Sequence, residues 1–267
     1  MTQRRAAGGR RPNAALRRPA DLRLIPLRTL PEVARGADLA ALLAAAANRE
    51  GVKIQRGDVL VLAQKIVSKA EGRTVRLSAV RPSPLAREWA PRLGQDPRLT
   101  EVVLRESRRV LRMTERALIV ETRHGFVCAN AGVDRSNVPG ARVTCLPNDA
   151  DSSARRVAAG LRRRSGVAVA VVISDTFGRP WRLGLVNVAI GAWGLRVLED
   201  LRGTRDAHGH RLRATILAVA DELAAAAGLL MGKKEGVPAV IVRGFRYHAA
   251  RESARLLLRP PAEDMFR

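Results

Sequence analysis

The segment Val172-Ile173-Ser174-Asp175-Thr176-Phe177-Gly178-Arg179-Pro180-Trp181-Arg182 decides how this chain folds. Residues 167–173 form a short, β-branched apolar run, which predicts a buried strand. The run gives way to Asp175-Thr176, and Gly178 and Pro180 are expected to break the strand there. A carboxylate and a hydroxyl at the C-terminal end of a strand stand where loops hold ligands. Both are hard oxygen donors suited to Mg²⁺ or Mn²⁺. Arg179 and Arg182 follow at once, and guanidinium forks bind phosphate or carboxylate. Taken alone, the segment also fits a plain strand cap with two surface arginines.

A second segment has the same character. Gly125-Phe126-Val127-Cys128-Ala129-Asn130-Ala131-Gly132-Val133-Asp134-Arg135-Ser136-Asn137-Val138 runs from an apolar strand through small residues to a carboxylate. Asp134 and Asn137 lie three apart in a predicted loop, and Gly132 lets the backbone approach a ligand. Turn-forming residues account for the same composition. Two such junctions together favour a metal site more than either alone, without naming a reaction.

The chain has 267 residues and a formal charge of +23, from 48 basic and 25 acidic side chains. That length supports a substantial core, and the positive field favours anionic partners. Nucleic acid and small polyanions such as nucleotides are the competing partners. With four Phe, three Trp and one Tyr, stacking platforms for single strands are scarce, which argues against nucleic acid. Cys128 and Cys145 form no disulfide framework, and Cys128 is expected in the core. No apolar run reaches a membrane span and no apolar stretch follows the basic N-terminus, so a cytoplasmic location is expected. Residues 1–20 place Arg4, Arg5, Arg10, Arg11, Arg17 and Arg18 among Gly, Pro, Ala and Asn, a disordered basic extension by composition.

The remaining pattern predicts a strand over 22–27, a helix capped by Asp38, a strand over 59–63 and a closing strand over 239–242. Helices are expected over 83–93, 96–111, 149–164 and 213–230, with Asp151-Ser152 capping the third. A hairpin is expected over 117–121 and 126–129, with His124 solvated at its tip. Lys65 and Lys69 are four apart in a chain with only five lysines, which marks them as candidates for phosphate oxygens despite the plainer reading as solvent-facing side chains. Helices and strands alternate irregularly beside hairpins, so the fold class is α+β with mixed sheets. There is no G-x-x-x-x-G-K-[ST] loop and no G-x-G-x-x-G after a strand, which disfavours P-loop and Rossmann folds.

Eight motifs in order then give a specific likeness. They are Leu30-Pro31-Glu32-Val33; Gly57-Asp58 through Gln64-Lys65-Ile66-Val67-Ser68-Lys69 to Gly72-Arg73; Asn130-Ala131-Gly132-Val133-Asp134-Arg135-Ser136-Asn137; and Ser174-Asp175-Thr176-Phe177-Gly178-Arg179. Asn187-Val188-Ala189-Ile190-Gly191, Asp206-Ala207-His208-Gly209-His210-Arg211-Leu212, Val219-Ala220-Asp221-Glu222-Leu223-Ala224, and Met231-Gly232 through Val242-Arg243-Gly244 complete the set. Across residues 22–244 the chain resembles the coenzyme F-420-0:L-glutamate ligase family of GTP-dependent gamma-glutamyl ligases.

The resemblance implies a family-specific fold of two intertwined subdomains within residues 21–267, with no boundary visible in the sequence, and a homodimer. It implies GTP as co-substrate, two divalent ions (Mg²⁺ or Mn²⁺) and K⁺ as a candidate monovalent activator, with coenzyme F-420-0 and L-glutamate as the other substrates. By the same resemblance Asp134 and Asp175 hold one divalent ion and Thr176 helps hold a second. Asp134, Asp175 and Lys69 are the implied catalytic residues. Leu30, Pro31, Glu32 and Val33, with Gln64, Lys65, Lys69 and Asn137, would bind the nucleotide. Met231, Gly232, Lys233, Lys234, Glu235 and Gly236 would close over it.

Two positions depart from the family pattern: some members carry Ser-Thr where Gln64-Lys65 stands, and some carry a carboxylate where Lys233 stands. Lys233 is expected to supply its positive charge to phosphate in that place. Some relatives continue into a reductase-like domain, which is not expected here. A ligase acting on another carboxylate and a basic RNA-binding protein are the alternatives. Deleting residues 1–20 should leave ligation of glutamate unchanged, since the segment precedes the first motif and lacks a core-forming pattern. A large fall in turnover of the truncated protein would contradict this.

Overall fold

The computed structural model describes residues 21–115, 117–136 and 140–264. The basic extension at residues 1–20 lies outside them. β1 (Arg23–Pro26) leads through α1 (Leu39–Arg49) to β2 (Val59–Ala63) and α2 (Gln64–Ala70). β3 (Thr74–Arg76), α3 (Pro84–Trp89) and α4 (Pro97–Glu106) precede β4 (Ser107–Met113), β5 (Leu118–Thr122), β6 (Val127–Ala129) and β7 (Arg142–Thr144). α5 (Ala150–Ser165) carries the chain to β8 (Ala170–Arg179) and β9 (Arg182–Trp193). After them come β10 (Glu199–Asp200), β11 (Ile216–Leu217), α6 (Val219–Met231) and β12 (Ala239–Arg243).

The main sheet has the order β1-β12-β2-β8-β9. β2 and β8 run parallel, and its other neighbours are antiparallel. Side chains alternate across the strands with period two. Leu60, Leu62, Val171, Ile173 and Ile241 pack with α1 and α5 on one face. Val59, Val61, Val172, Val240 and Val242 pack with α6 on the other. Burial on both faces explains why these strands read as unbroken apolar runs rather than alternating ones. Between β2 and β8 the chain builds two smaller sheets, β3-β7 and β4-β5-β6. They have their own apolar clusters around Leu77, Val102 and Val143 and around Val103, Leu118 and Val120. The architecture is α+β with mixed sheets, as the sequence pattern indicates.

Local signals held where side chain and backbone act within one turn. Asp38 accepts from the Ala41 N–H at 3.0 Å and starts α1. Cys128 and Cys145 are buried, and burial pushes both thiols up to about 12. No helix among the described residues is long and apolar enough to cross a membrane.

Other expectations are overturned by pairing between distant segments. β8 does not end at Asp175-Thr176 but continues to Arg179, because β9 supplies backbone partners as far as Arg182. Gly178 sits in register opposite Leu185, and the turn falls at Pro180-Trp181, where Trp181 has φ 61°. The helix expected over 96–111 stops at Glu106, since residues 107–113 pair with β5 and Arg109 meets Glu121 at 2.8 Å. The helix expected from 213 begins at Val219, because Ile216–Leu217 pairs with β10. Asp149 caps α5 by accepting from the Ser152 N–H, not Asp151. Asp151 instead accepts from the N–H groups of Ala192 and Ala254 and the Ser253 hydroxyl, tying α5 to β9 and the C-terminal segment. His124 is half-buried rather than solvated. Burial pushes its imidazole below its ordinary range, and it shares a small cavity with Phe126, Leu146 and Arg255.

α5 lies so close to β9 that a Cβ added at Gly191 would stand 2.5 Å from the Ala150 carbonyl carbon. Gly191→Ala should therefore destabilise the protein by about 1–3 kcal/mol through overpacking against backbone. Gly178→Ala, whose Cβ would meet nothing closer than 3.9 Å, should stay near wild type. Urea unfolding of both variants checks this, and equal midpoints would refute the close contact.

Candidate functional site

β2 stops at Ala63, opposite Ser174 of β8. β8 continues with β9 alone, so Asp175 and Thr176 are its first residues without a β2 neighbour. This step in the sheet opens a cleft of about 1020 Å³, measured with its open mouth. Ser174, Asp175 and Thr176 contribute from β8, and Gln64, Lys65 and Lys69 from α2. Leu30, Pro31, Glu32 and Val33 line it from the segment after β1. Met231, Gly232, Lys233, Gly236 and Pro238 line it from the segment joining α6 to β12.

α2 follows β2 without an intervening loop, and its 3.6-residue period sets Gln64 over Ser68 and Lys65 over Lys69. The Ser68 hydroxyl donates to Gln64 Oε1 at 2.7 Å. Gln64 is 1% exposed, and its Nε2 has no partner among the described groups. Lys65 Nζ meets Asp134 Oδ2 at 2.7 Å and also donates to the carbonyl and hydroxyl of Ser136. Lys69 Nζ meets Glu32 Oε1 at 2.6 Å, with the lysine side chain 12% exposed and the glutamate 73%. The two lysines are thus committed ion-pair partners, not solvent-facing side chains.

The two aspartates experience opposite fields. Burial pushes the Asp175 carboxyl up to about 6, and the charge of Asp134 adds to this against the Thr176 N–H, Lys233 and Lys65. Burial also raises Asp134, but the bonds from Lys65 and the Ser136 N–H outweigh it and hold the carboxyl below its ordinary range. Thr176 accepts from Lys233 Nζ at 2.9 Å and donates to Asn187 Oδ1 at 3.1 Å. Among the described residues, every cation lining the cleft is a lysine.

Most of the residues singled out from sequence meet here, with exceptions. Asp134 does not line the cleft itself and reaches it through Lys65. Lys234 and Glu235 are exposed and outside the lining, with Glu235 Oε2 accepting from the Lys234 N–H at 2.9 Å. Asn137 lies outside the described residues. Sequence reasoning gave no role to Ser174, Asn187 or Pro238. The signal for Asn187 is the β8–β9 register, which sets it directly opposite Thr176.

No group of three or more His, Cys, Asp or Glu side chains suited to a metal occurs among the described residues. Two carboxylates and a hydroxyl nevertheless fit an ion that keeps water and shares phosphate oxygens, as Mg²⁺ and Mn²⁺ do, rather than one caged by protein alone. Asp175, whose proton affinity is raised by burial, beside a lysine-paired Asp134 is a donor set in which a cation would relieve charge crowding.

A family model described as F420-0:Gamma-glutamyl ligase matches residues 28–244. The chain is 47% identical over 247 residues to a coenzyme F420:L-glutamate ligase of Methanothermobacter thermautotrophicus, covering 91% of this chain and 98% of the relative. A protein of the same name from Methanopyrus kandleri is 47% identical over 251 residues, covering 92% and 98%. One from Methanocaldococcus jannaschii is 41% identical over 216 residues, covering 80% and 86%. Fold, cleft and these likenesses together define a ligase. The chain belongs to the F420-0:gamma-glutamyl ligase family.

An acid whose proton is held more tightly when folded favours the protonated fold. The contribution of Asp175 to stability is therefore fully present below the unfolded value near 3.8 and is lost as pH rises through about 6. Asp175→Asn removes the buried charge, so at pH 7 without ligand it should be more stable than wild type by up to roughly 3 kcal/mol. The gain should vanish near pH 3.5. Chemical denaturation at both pH values checks this, and a destabilised variant at pH 7 would overturn the assignment of a strained carboxylate.

Proposed function

We propose that this chain is a GTP-dependent ligase that joins L-glutamate to coenzyme F-420-0 through an acyl-phosphate and then adds further γ-linked glutamates. The carrying observation is the cleft that brings Lys65, Lys69 and Lys233 around Asp175 and Thr176, with the unpartnered Gln64 amide beside them. Polyphosphate offers what these groups lack: acceptor oxygens and spread negative charge. The relatives' activity as coenzyme F420:L-glutamate ligases supports the choice of the other two substrates.

A carboxylate does not acylate an amine in water, because its leaving group would be oxide. In the proposed reaction the precursor's carboxylate oxygen attacks the γ-phosphorus, the bond to the β-phosphate oxygen breaks, and GDP leaves. The glutamate amine then attacks the acyl carbon, and inorganic phosphate departs with the bonding pair. Asp134, Asp175 and Thr176 would hold the divalent ions, which supply charge neutralisation and alignment of the phosphates when bound. Lys69 exchanges its exposed partner Glu32 for a phosphate oxygen. Lys65 balances Asp134, and Lys233 carries positive charge to the edge of the β8 rim. Lysine suits these tasks because its ammonium is a point charge on a flexible stem that can change partners. Leu30 to Val33 and the segment from Met231 to Gly236 bound the nucleotide on either side, with Gln64 donating its free amide hydrogen. Lys234, Glu235 and Asn137 are proposed to add to this contact with the nucleotide.

The test is purified protein with GTP, Mn²⁺, L-glutamate and coenzyme F-420-0, read by mass spectrometry. Glutamylated product with release of GDP is expected, and no product with GTP would sink the reading. Lys69→Ala and Lys233→Ala should each weaken GTP binding about ten- to a hundredfold while leaving the KM for glutamate within about threefold. Unchanged GTP titration curves would remove those lysines from the site.

A further inference from the structure

Thr176 is the one hydroxyl of the β8 rim that touches a cation, and its hydrogen has a choice of directions. A hydroxyl that points its proton toward a cation repels it, and one that turns its lone pairs there binds it. The neighbours of Thr176 resolve this choice. Asn187 is its partner in the β8–β9 register, so both side chains rise from the same face. Asn187 Oδ1 accepts the Thr176 hydroxyl hydrogen at 3.1 Å. The amide's other end, Nδ2, lies 3.6 Å from the Met231 sulfur.

That sulfur decides which way the amide faces. A thioether has no hydrogen and acts only as a weak acceptor. With Nδ2 toward sulfur, both ends of the amide are matched. With the amide reversed, Oδ1 would face a sulfur lone pair, and Nδ2 would take one of the two Thr176 lone pairs and leave the hydroxyl hydrogen without its acceptor. Room for the amide comes from α6, where a Cβ at Gly228 would lie 3.0 Å from Asn187 Cγ. The amide is therefore fixed by packing as well as by bonding.

We infer that Asn187 is a positioning residue: held by the Met231 sulfur and the space at Gly228, it draws the Thr176 hydroxyl hydrogen away from the cleft and leaves the Thr176 lone pairs for a cation. In the structure that cation is the Lys233 ammonium, 2.9 Å away. The inference rests on the proposed reading for its second claim, that a divalent ion uses the same lone pairs. Asn187 also lines the cleft, and the role inferred for it runs through the Thr176 hydroxyl.

The experiment is a double-mutant cycle on Mn²⁺ binding, measured without turnover by the electron paramagnetic resonance signal of free Mn²⁺ with GTP as the sole substrate, each titration set against the same Mn²⁺ and GTP without protein so that only the additional loss of signal counts as bound. The variants are Asn187→Leu, Thr176→Val and the pair together. Asn187→Leu should weaken Mn²⁺ about tenfold, as expected for losing one oriented bond. Thr176→Val should weaken it by a similar factor, and the pair should be no worse than Thr176→Val, because Asn187 acts only through that hydroxyl. Asn187→Ser, which keeps an acceptor oxygen in a smaller side chain, serves if the leucine variant fails to fold, and it should retain more affinity than Asn187→Ala. Independent, multiplying losses in the double variant would overturn the inference and leave Asn187 as packing. So would full Mn²⁺ affinity in Asn187→Leu. A wild-type titration that shows no bound Mn²⁺ overturns the metal reading itself, and it is told apart by being blank before any substitution.

Discussion

The early end of β2 is the constraint on which the site depends. Within the main sheet β2 and β8 run side by side from Val59 and Ala170 to Ala63 and Ser174. There β2 turns directly into α2, while β8 keeps its other neighbour. A strand that loses one partner while keeping the second remains extended, yet exposes one edge. Asp175 and Thr176 occupy that edge, and the first turns of α2 bring Gln64, Lys65 and Lys69 to face them. Had β2 run two residues longer, its backbone would fill the cleft. Had β8 ended with it, Asp175 would belong to a loop and lose the burial that sets its proton affinity.

Electrostatics then build on this geometry. The sheet edge buries a carboxylate that favours its proton, and the loop after β6 brings a second one within reach of its field. Lys65 and Lys233 offset the crowding without removing it. Such a crowded pair of carboxylates is where a cationic ligand would lower the free energy most. The chain's large arginine excess plays little part: the cleft is lined by lysines, whose compact charge can move between carboxylate and phosphate.

Legibility in the sequence followed the range of the forces involved. The Asp38 cap, the buried strand cores and the β5–β6 hairpin were readable because a single turn or strand carries their signal. The strand character of residues 107–113 was not, since it exists only through pairing with β5. Nor was the continuation of β8 through Gly178, a residue that breaks strands unless a partner such as β9 holds it. Asp151, read as a cap, instead serves N–H groups at Ala192 and Ala254, forty and a hundred residues away in round numbers. Asn187 stood in a recognisable motif, yet its place opposite Thr176 is a matter of register.

By itself the sequence determined the class of fold, the family, and the set of side chains with the chemistry for phosphate and hard cations. These follow from composition, local periodicity and ordered motifs, all of which reside in the covalent chain. Tertiary structure alone decided which of those side chains meet. It paired Lys65 with Asp134 and Lys69 with Glu32, set Lys233 on Thr176, and placed Asn187 behind that hydroxyl. The physical reason is that ion pairs and proton affinities depend on distance and burial in space, and neither is encoded at any one position of the chain.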